Sequence, residues 1–349
     1  MYSVELGGEE SQAGFVTAAV TMVSFLAVPH LGRHVERLGR TPLLHLGPAL
    51  VLAESLALPY VGWFPLLVAM GIACGGALAC FQTGANTLIA DLAPVHRRGE
   101  AIGIYGTFTT IAVAMSPAVG IMVMHNNGFP VLFAASAGVA AIALILSFMV
   151  REPEKQAMVP PPGPLLNRSA LLPAFCIFGM TLTYGTLISF LPGQAPKMGM
   201  ENAGLFFTVY CLSTLLVRAL AGGVSDRLGR VPVILPALFT VGASMMILSQ
   251  SSSQTMVLGA AALYGLGYGS AHPTIMALTV DRAGGDQRAS AIATFYSAYN
   301  LGVAVGSLAM GYLLAATSYA VMTAVVGAAP LLAMVALYLG RSSPAASQR

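Results

Sequence analysis

Eleven runs of apolar residues follow one another along this chain of 349 residues, and no other feature constrains the fold as strongly. They cover roughly residues 12–31, 43–62, 64–91, 100–124, 129–150, 170–192, 201–221, 231–250, 254–281, 289–314 and 316–340. A helix needs about 20 apolar residues to cross a bilayer, and lipid excludes open non-helical backbone. The sequence therefore predicts an all-α, polytopic membrane protein with eleven spanning helices.

Composition excludes the soluble classes. Charged residues make up 8% of the chain and the mean hydropathy is +0.79, whereas soluble domains carry about 25% charged residues. The four cysteines lie inside apolar runs, and the six histidines show no ligand spacing. Hydrolase, zinc-protease and phosphate-loop motifs are missing from the sequence. We therefore predict no enzyme, no cofactor, no metal site and no nucleic-acid partner.

The basic residues predict the orientation in the membrane. Fourteen of the 16 Lys and Arg residues lie in alternate loops or at the C-terminus, and the positive-inside rule places those segments in the cytoplasm. The N-terminus is then outside, although no signal peptide precedes the first run. We expect that the chain once began one helix earlier. The predicted location is the bacterial inner membrane.

The sequence repeats itself at an offset of 190 residues. Residues 32–44 read GRHVERLGRTPLL and residues 222–234 read GGVSDRLGRVPVI, with six of 13 positions identical. Such self-similarity indicates two homologous halves. We predict an N-terminal bundle over residues 1–150, a Pro-rich cytoplasmic linker over 151–169 and a C-terminal bundle over 170–349. The first half holds five predicted helices and the second holds six.

The repeated segment resembles motif A of the major facilitator superfamily, the G-x-x-x-[DE]-R-x-G-R pattern. The resemblance implies two six-helix bundles, a substrate cavity between them, alternating access by rocking and a monomer. The first helix of the first bundle is then the missing one. The motif positions, implied to form a cytoplasmic gate, are Gly32, Glu36, Arg37, Gly39 and Arg40 in the first copy and Gly222, Asp226, Arg227, Gly229 and Arg230 in the second.

Charge pairs can hold this gate closed on the cytoplasmic side. Arg40 and Arg230 can pair with acids at the end of the fourth helix of each half, where Asp91 and Asp281 lie. Arg218, one turn before the second motif, is predicted to belong to the gate as well. The alternative is that these charges only mark a cytoplasmic loop.

A second pattern, Ala112-x-x-x-Ser116-Pro117-x-x-Gly120, resembles motif C of the proton-driven exporters in this superfamily. Small residues four apart let helices pack closely, and Pro117 removes a backbone donor and bends the helix. Ala112 and Ser116 replace two glycines of the family pattern. The similar run at Gly302 and Gly306 leaves open the alternative that this pattern serves packing alone.

Two titratable side chains lie deep inside predicted spans. Glu54 is 11 residues from Leu43, which places it about 16 Å into the membrane, and His272 precedes Pro273 in a later span. A charge at this depth is costly and usually functional, so both residues are candidates for proton coupling. The alternative for each is a polar side chain satisfied by a neighbouring helix.

The resemblance also implies which helices line the substrate cavity. They offer Gln82, Asn86, Tyr184, Tyr264, Tyr268 and Asn300, with Thr183 beside Tyr184. This set carries little fixed charge and favours a neutral, amphipathic or mildly cationic substrate. The leading hypothesis is a proton-coupled exporter of small organic molecules. The alternatives are an importer of the same fold and a non-transporting membrane protein derived from a transporter.

Overall fold

The computed structural model describes residues 2, 10–93, 98–150, 166–283 and 288–340. These residues form helices and connecting turns, without a strand. The helices are α1 (Glu10–Leu38), α2 (Arg40–Ala57), α3 (Phe64–Leu92), α4 (Arg98–Phe148), α5 (Leu171–Gln194), α6 (Gly204–Leu228), α7 (Arg230–Ser249), α8 (Gln254–Arg282), α9 (Arg288–Ala316) and α10 (Tyr319–Gly340). Short 3₁₀ turns cover Leu58–Tyr60, Arg168–Ala170 and Ala195–Met198. The all-α prediction is confirmed.

Helix α4 joins two of the predicted apolar runs. Its 51 residues bend at Gly128, which has φ 79° and ψ 176° and interrupts otherwise continuous helix. Positive φ is a conformation that glycine adopts without a steric penalty, and Pro130 follows with a fixed φ suited to restarting a helix. The gap between the predicted runs 100–124 and 129–150, which reads Asn126-Asn127-Gly128, is thus a one-residue bend. Counted on both sides of it, the helical segments correspond to the eleven predicted runs.

Seven of the described helices are long and apolar enough to cross a membrane by length and composition. The apolar part of α4 covers 45 residues, enough to cross a bilayer twice. Shorter apolar stretches lie in α1 at Gly14–Val28 and in α6 at Gly204–Arg218. Helix α8 does not meet the same criterion, since tyrosines, hydroxyl side chains and His272 lower its hydropathy.

Glycines allow the helices of the second half to cross at very short distances. A Cβ on Gly306 of α9 would collide with the Leu182 carbonyl oxygen of α5, and one on Gly267 of α8 would lie 2.8 Å from the Ala237 carbonyl oxygen of α7. Close backbone approach at small residues is how helices associate in lipid. The buried core of this half runs through α5–α8 and includes side chains from α9 and α10.

The two halves contact each other through α1 with α9 and through α4 with α6. A Cβ on Gly14, near the start of α1, would collide with the Ser307 carbonyl oxygen, and one on Gly204, at the start of α6, would lie 3.2 Å from Ile121. We call the end of the molecule that holds the turns at Gly39 and Gly229 the basic end. Gly14 and Gly204 lie near the starts of α1 and α6, whereas these two turns follow the ends of the same helices. The halves are therefore packed together at the end opposite the basic end.

Candidate functional site

The turn between α6 and α7 holds an ion pair at the basic end. Arg230 Nε lies 2.9 Å from Asp281 Oδ2, and Arg230 Nη1 donates to Ser225 Oγ at 2.9 Å. Gly229 begins α7 with φ 88°, and Gly39 begins α2 with φ 83°. The turns of the two copies of motif A thus share one backbone conformation, because each has a glycine at positive φ.

The first copy is described only in part. Arg40 is half-buried with its Nε shielded from solvent, and Arg227 in the second copy is exposed. The remaining predicted gate side chains lie outside the described residues, although their backbone is helical: Gly32, Glu36, Arg37, Asp91, Gly222 and Asp226. The Arg40–Asp91 pair and the role of the gate remain predictions.

A cluster of aromatic rings fills the middle of the second half; we call it the tyrosine cluster. It comprises Tyr184 of α5, Tyr210 of α6, Tyr264, Tyr268 and His272 of α8, and Phe295 and Tyr299 of α9. Tyr264 and Tyr268 stack with ring centroids 5.8 Å apart, and Tyr268 stacks on His272 at 6.0 Å. Phe295 and Tyr299 meet the imidazole ring edge to face at 5.6 and 5.9 Å.

Hydrogen bonding in the cluster is incomplete. Thr183 and Tyr264 share a hydrogen bond of 2.8 Å between their hydroxyls. Among the described residues, the buried hydroxyl of Tyr210 in the cluster and the buried amide nitrogen of Asn300 outside it find no hydrogen-bond partner. A buried polar group without a partner costs free energy, so the packing leaves these two groups unsatisfied. The cluster can therefore offer apolar ring surface together with a few polar contacts, as small-molecule sites do.

Tyr184 connects the two halves. Its hydroxyl donates to the Val113 carbonyl oxygen of α4 at 3.2 Å. In a regular helix that carbonyl would accept from residue 117, but Pro117 has no N–H to donate. The Ser116 hydroxyl approaches the same carbonyl at 3.5 Å. The proline of the motif C-like pattern thus frees a backbone acceptor, and a side chain from the other half uses it.

The small residues of that pattern do not make a tight helix crossing. Ala112 and Ser116 are exposed, and the nearest atom to a Cβ on Gly120 would be Leu132 Cδ1 at 3.9 Å. Gly302 and Gly306 behave differently, because a Cβ on either would collide with α5. Close packing therefore accounts for the run in α9 and does not account for the pattern in α4.

Glu54 lies apart from the tyrosine cluster. It is half-buried on α2, where its carboxyl group meets the Cys74 thiol of α3. The next residue, Ser55, shares a hydrogen bond of 2.9 Å with Ser136 of α4. Glu54 thus lies inside the first half, among helices of its own bundle.

The remaining predicted cavity residues are placed differently. Gln82 and Asn86 are half-buried on α3, and within the described part of the chain no hydrogen bond or ring contact joins them to the tyrosine cluster. The described residues also contain no group of three or more His, Cys, Asp or Glu side chains that could hold a metal ion. The structure therefore brings together the predicted residues of α5 and α8, but not those of α3.

Four residues in or beside the site were missed or assigned elsewhere from the sequence: Tyr210, Phe295, Tyr299 and Arg218. Tyr210 was not considered, although Tyr210, Thr214 and Arg218 follow each other at a spacing of four on one face of α6. Arg218 is half-buried and interacts electrostatically with Tyr210, Tyr268 and His272. Arg218 therefore brings a positive charge to the neighbourhood of the cluster, where little fixed charge was expected from the sequence, and its gate role remains a prediction.

Comparison with known proteins identifies the family. A family model described as Major Facilitator Superfamily matches residues 1–201 and 173–349, which together span the chain. The staphylopine export protein of Staphylococcus aureus is 19% identical over 97% of this chain and 90% of its own length. The multidrug resistance protein MdtL of Escherichia fergusonii is 24% identical over 64% of this chain and 57% of its own length.

Solved structures show the same fold. The inward-open conformation of the xylose transporter XylE from E. coli superposes with a TM-score of 0.76 at 16% identity, covering 98% of this chain and 89% of XylE. The human organic anion transporter MFSD10 superposes with a TM-score of 0.72 at 19% identity, covering 93% of this chain and 83% of MFSD10. With the repeat, the helix order and the family match, this chain is a multi-span membrane transporter that belongs to the major facilitator superfamily.

Proposed function

We propose that this protein exports small organic molecules from the cytoplasm in exchange for protons, by alternating access between its two halves. The observation that carries the proposal is the tyrosine cluster, which combines ring surface with a few hydrogen-bonding groups and includes Tyr184, whose hydroxyl donates to the other half. His272 lies ten residues from the end of α8 at Arg282, about 15 Å from the basic end. A site at mid-depth is what alternating access requires.

The direction of transport is proposed from the relatives and from motif C. The similar proteins are named for staphylopine export, multidrug resistance and quinolone resistance. The motif C-like pattern supports the same direction, since helix packing does not explain it in α4. Import by the same fold remains the competing function.

The gate is proposed to lie at the basic end. The Arg230–Asp281 pair ties the α6–α7 turn to the end of α8, while the halves touch at the other end. When the halves rock, the contacts at Gly14 and Gly204 would open and the two copies of motif A would approach each other. The positive-inside rule gives this basic end a cytoplasmic location, with the C-terminus on the same side and the N-terminus outside.

Transport in membrane vesicles tests the proposal. Everted vesicles containing the protein are energised to acidify their interior, and uptake of a fluorescent quinolone is followed before and after nigericin collapses the proton gradient. We expect uptake that nigericin abolishes and that vesicles without the protein lack. Uptake only into right-side-out vesicles would establish import instead, and no transport in either orientation would overturn the export proposal.

The hydrogen bond between Tyr184 and Val113 gives a testable prediction about the balance between conformations. Tyr184→Phe removes the hydroxyl and keeps the ring. The loss of the hydrogen bond destabilises the conformation in which the halves touch at the end opposite the basic end, by about 0.5–1.5 kcal/mol of free energy. We expect its population to fall by a few-fold, measured as lower cross-linking between cysteines at Asn126 and Glu201. Tyr312→Phe, which alters an exposed tyrosine of α9, is the matched control. Unchanged cross-linking in Tyr184→Phe would show that the bond does not favour this state.

A further inference from the structure

Helices α6 and α8 run side by side in the same direction, and their contacts advance together along both helices. The rings of Tyr210 and Tyr264 lie 5.6 Å apart, and Thr214 Oγ1 donates to the Gly265 carbonyl oxygen at 3.2 Å. One turn further, a Cβ on Gly269 would lie 2.9 Å from Thr214 Cα. The spacing of 54 residues between Tyr210 and Tyr264 also separates Arg218 from His272. The next turn of this pair of helices therefore brings Arg218 and His272 to the same level.

Arg218 is placed as a binding group and not as a surface charge. It is half-buried with its Nε shielded from solvent, and it interacts electrostatically with His272 and with the buried Tyr210 and Tyr268. A cation at this depth is costly to bury and is usually functional. Its guanidinium group offers five donors in a planar fork that matches a carboxylate.

The surroundings of Arg218 define the rest of the ligand. Tyr268, His272, Phe295 and Tyr299 form a wall of stacked and edge-to-face rings. His272 and Tyr299 are only half-buried, so these two rings are partly exposed, while Tyr268 and Phe295 are buried behind them. Rings of this kind favour a flat, apolar molecular body.

We propose that the substrate is an amphipathic organic anion whose carboxylate binds Arg218 and whose apolar body packs on the rings around His272. This inference rests on the proposed transport function and specifies its substrate class. It differs from the sequence-based expectation of a neutral or mildly cationic substrate, because that expectation placed Arg218 in the gate.

A pair of probes of equal shape tests this inference. Binding of radiolabelled 2-naphthoate and 2-naphthamide to the purified protein in detergent is measured by equilibrium dialysis. The two molecules share one ring system, and only the first carries a negative charge. We expect 2-naphthoate to bind on the order of tenfold more tightly or better, as a charge-assisted contact provides.

Variants of Arg218 assign the preference to this residue. Arg218→Gln is expected to weaken 2-naphthoate binding to the level of 2-naphthamide and to leave 2-naphthamide binding unchanged. Arg218→Lys keeps the charge without the fork and is expected to lie between Arg218→Gln and the wild type. Arg168→Gln, at an exposed arginine, is the matched control and should bind as the wild type does.

The outcomes separate this inference from the proposed function. Equal binding of both probes by the wild type, no binding of either, or equal loss of both in the Arg218 variants would overturn the anion proposal. Because binding in detergent needs no gradient and no direction, charge-selective binding without transport would contradict export alone. Transport without charge selectivity would contradict only the anion proposal.

Discussion

Glu54→Gln is expected to abolish concentrative export, leaving substrate flux in energised vesicles at the level of vesicles without the protein. Glu54 is the only acid well inside an apolar run, since the other acids of these runs lie at their ends, and it is half-buried against Cys74 in the first half. A carboxyl group can take up and release a proton as access alternates, whereas an amide of nearly the same shape cannot. Gradient-independent exchange of substrate should survive in this variant.

The anion proposal gives a reason to assign antiport to Glu54 and not to His272. An anion bound at Arg218 would attract a proton to the neighbouring imidazole, so that substrate and proton would travel together from that position. Antiport requires the two to cross in opposite directions. We therefore expect His272→Gln to weaken 2-naphthoate binding while retaining nigericin-sensitive transport at saturating substrate.

Glu201→Gln is the matched control for the Glu54 variant, because Glu201 is exposed at the turn before α6. It should export normally. Normal concentrative export by Glu54→Gln would show that Glu54 does not carry the coupled proton. If His272→Gln instead lost nigericin-sensitive transport with unaltered binding, the roles of the two residues would be exchanged.

Gly306→Ala is expected to destabilise the folded protein, and much more than Gly259→Ala does. A Cβ at this position collides with the Leu182 carbonyl oxygen and lies 3.1 Å from Leu182 Cα. The same crossing holds Thr186 Oγ1 against the Gly306 carbonyl oxygen at 3.2 Å and Ser189 against Ser307 at 3.0 Å. Overpacking of this kind costs about 1–3 kcal/mol, and here the obstructing atoms belong to backbone.

Gly259→Ala provides the comparison, since a Cβ on this exposed glycine of α8 would find no atom within 4 Å. Thermal stability in detergent, followed as the surviving monodisperse peak in size-exclusion chromatography, should be lower for Gly306→Ala and unchanged or higher for Gly259→Ala. Equal stability of the two variants would show that α5 and α9 can separate at little cost.

Much of the fold could be predicted from local sequence. The apolar runs gave the helices because lipid leaves a spanning backbone few alternatives, and the repeat predicted the matching turns at Gly39 and Gly229. The bend at Gly128 was expected as a loop, because Asn126-Asn127-Gly128 is typical of turns and nothing in it shows that helix resumes at once. Close packing, left open from the spacing of Gly302 and Gly306, is what the structure shows at these two glycines.

The candidate site was less predictable, because it depends on the register between helices. The family resemblance implied that Tyr264 and Tyr268 of α8 line the cavity, but only the structure shows that Tyr210 of α6 packs against Tyr264. Arg218 was assigned to the gate because it lies one turn before Gly222 in the sequence. Its position at the same height as His272 follows only from the packing of α6 against α8. Pro117 predicts a free carbonyl at Val113, whereas the donor, Tyr184, comes from the other half.

The rocking of the two halves is the central claim, and distances measured at both ends of the molecule test it most directly. Spin labels at Asn126 and Glu201 report on the end where the halves touch, and labels at Leu92 and Leu228 report on the basic end. Each pair is introduced after replacement of Cys74, Cys80, Cys176 and Cys211 by alanine, and distances are measured in lipid nanodiscs with and without 2-naphthoate at pH 7.5 and 5.5. The account predicts that in part of the population the first distance lengthens while the second shortens. Two distances that never change, or that lengthen and shorten together, would contradict it.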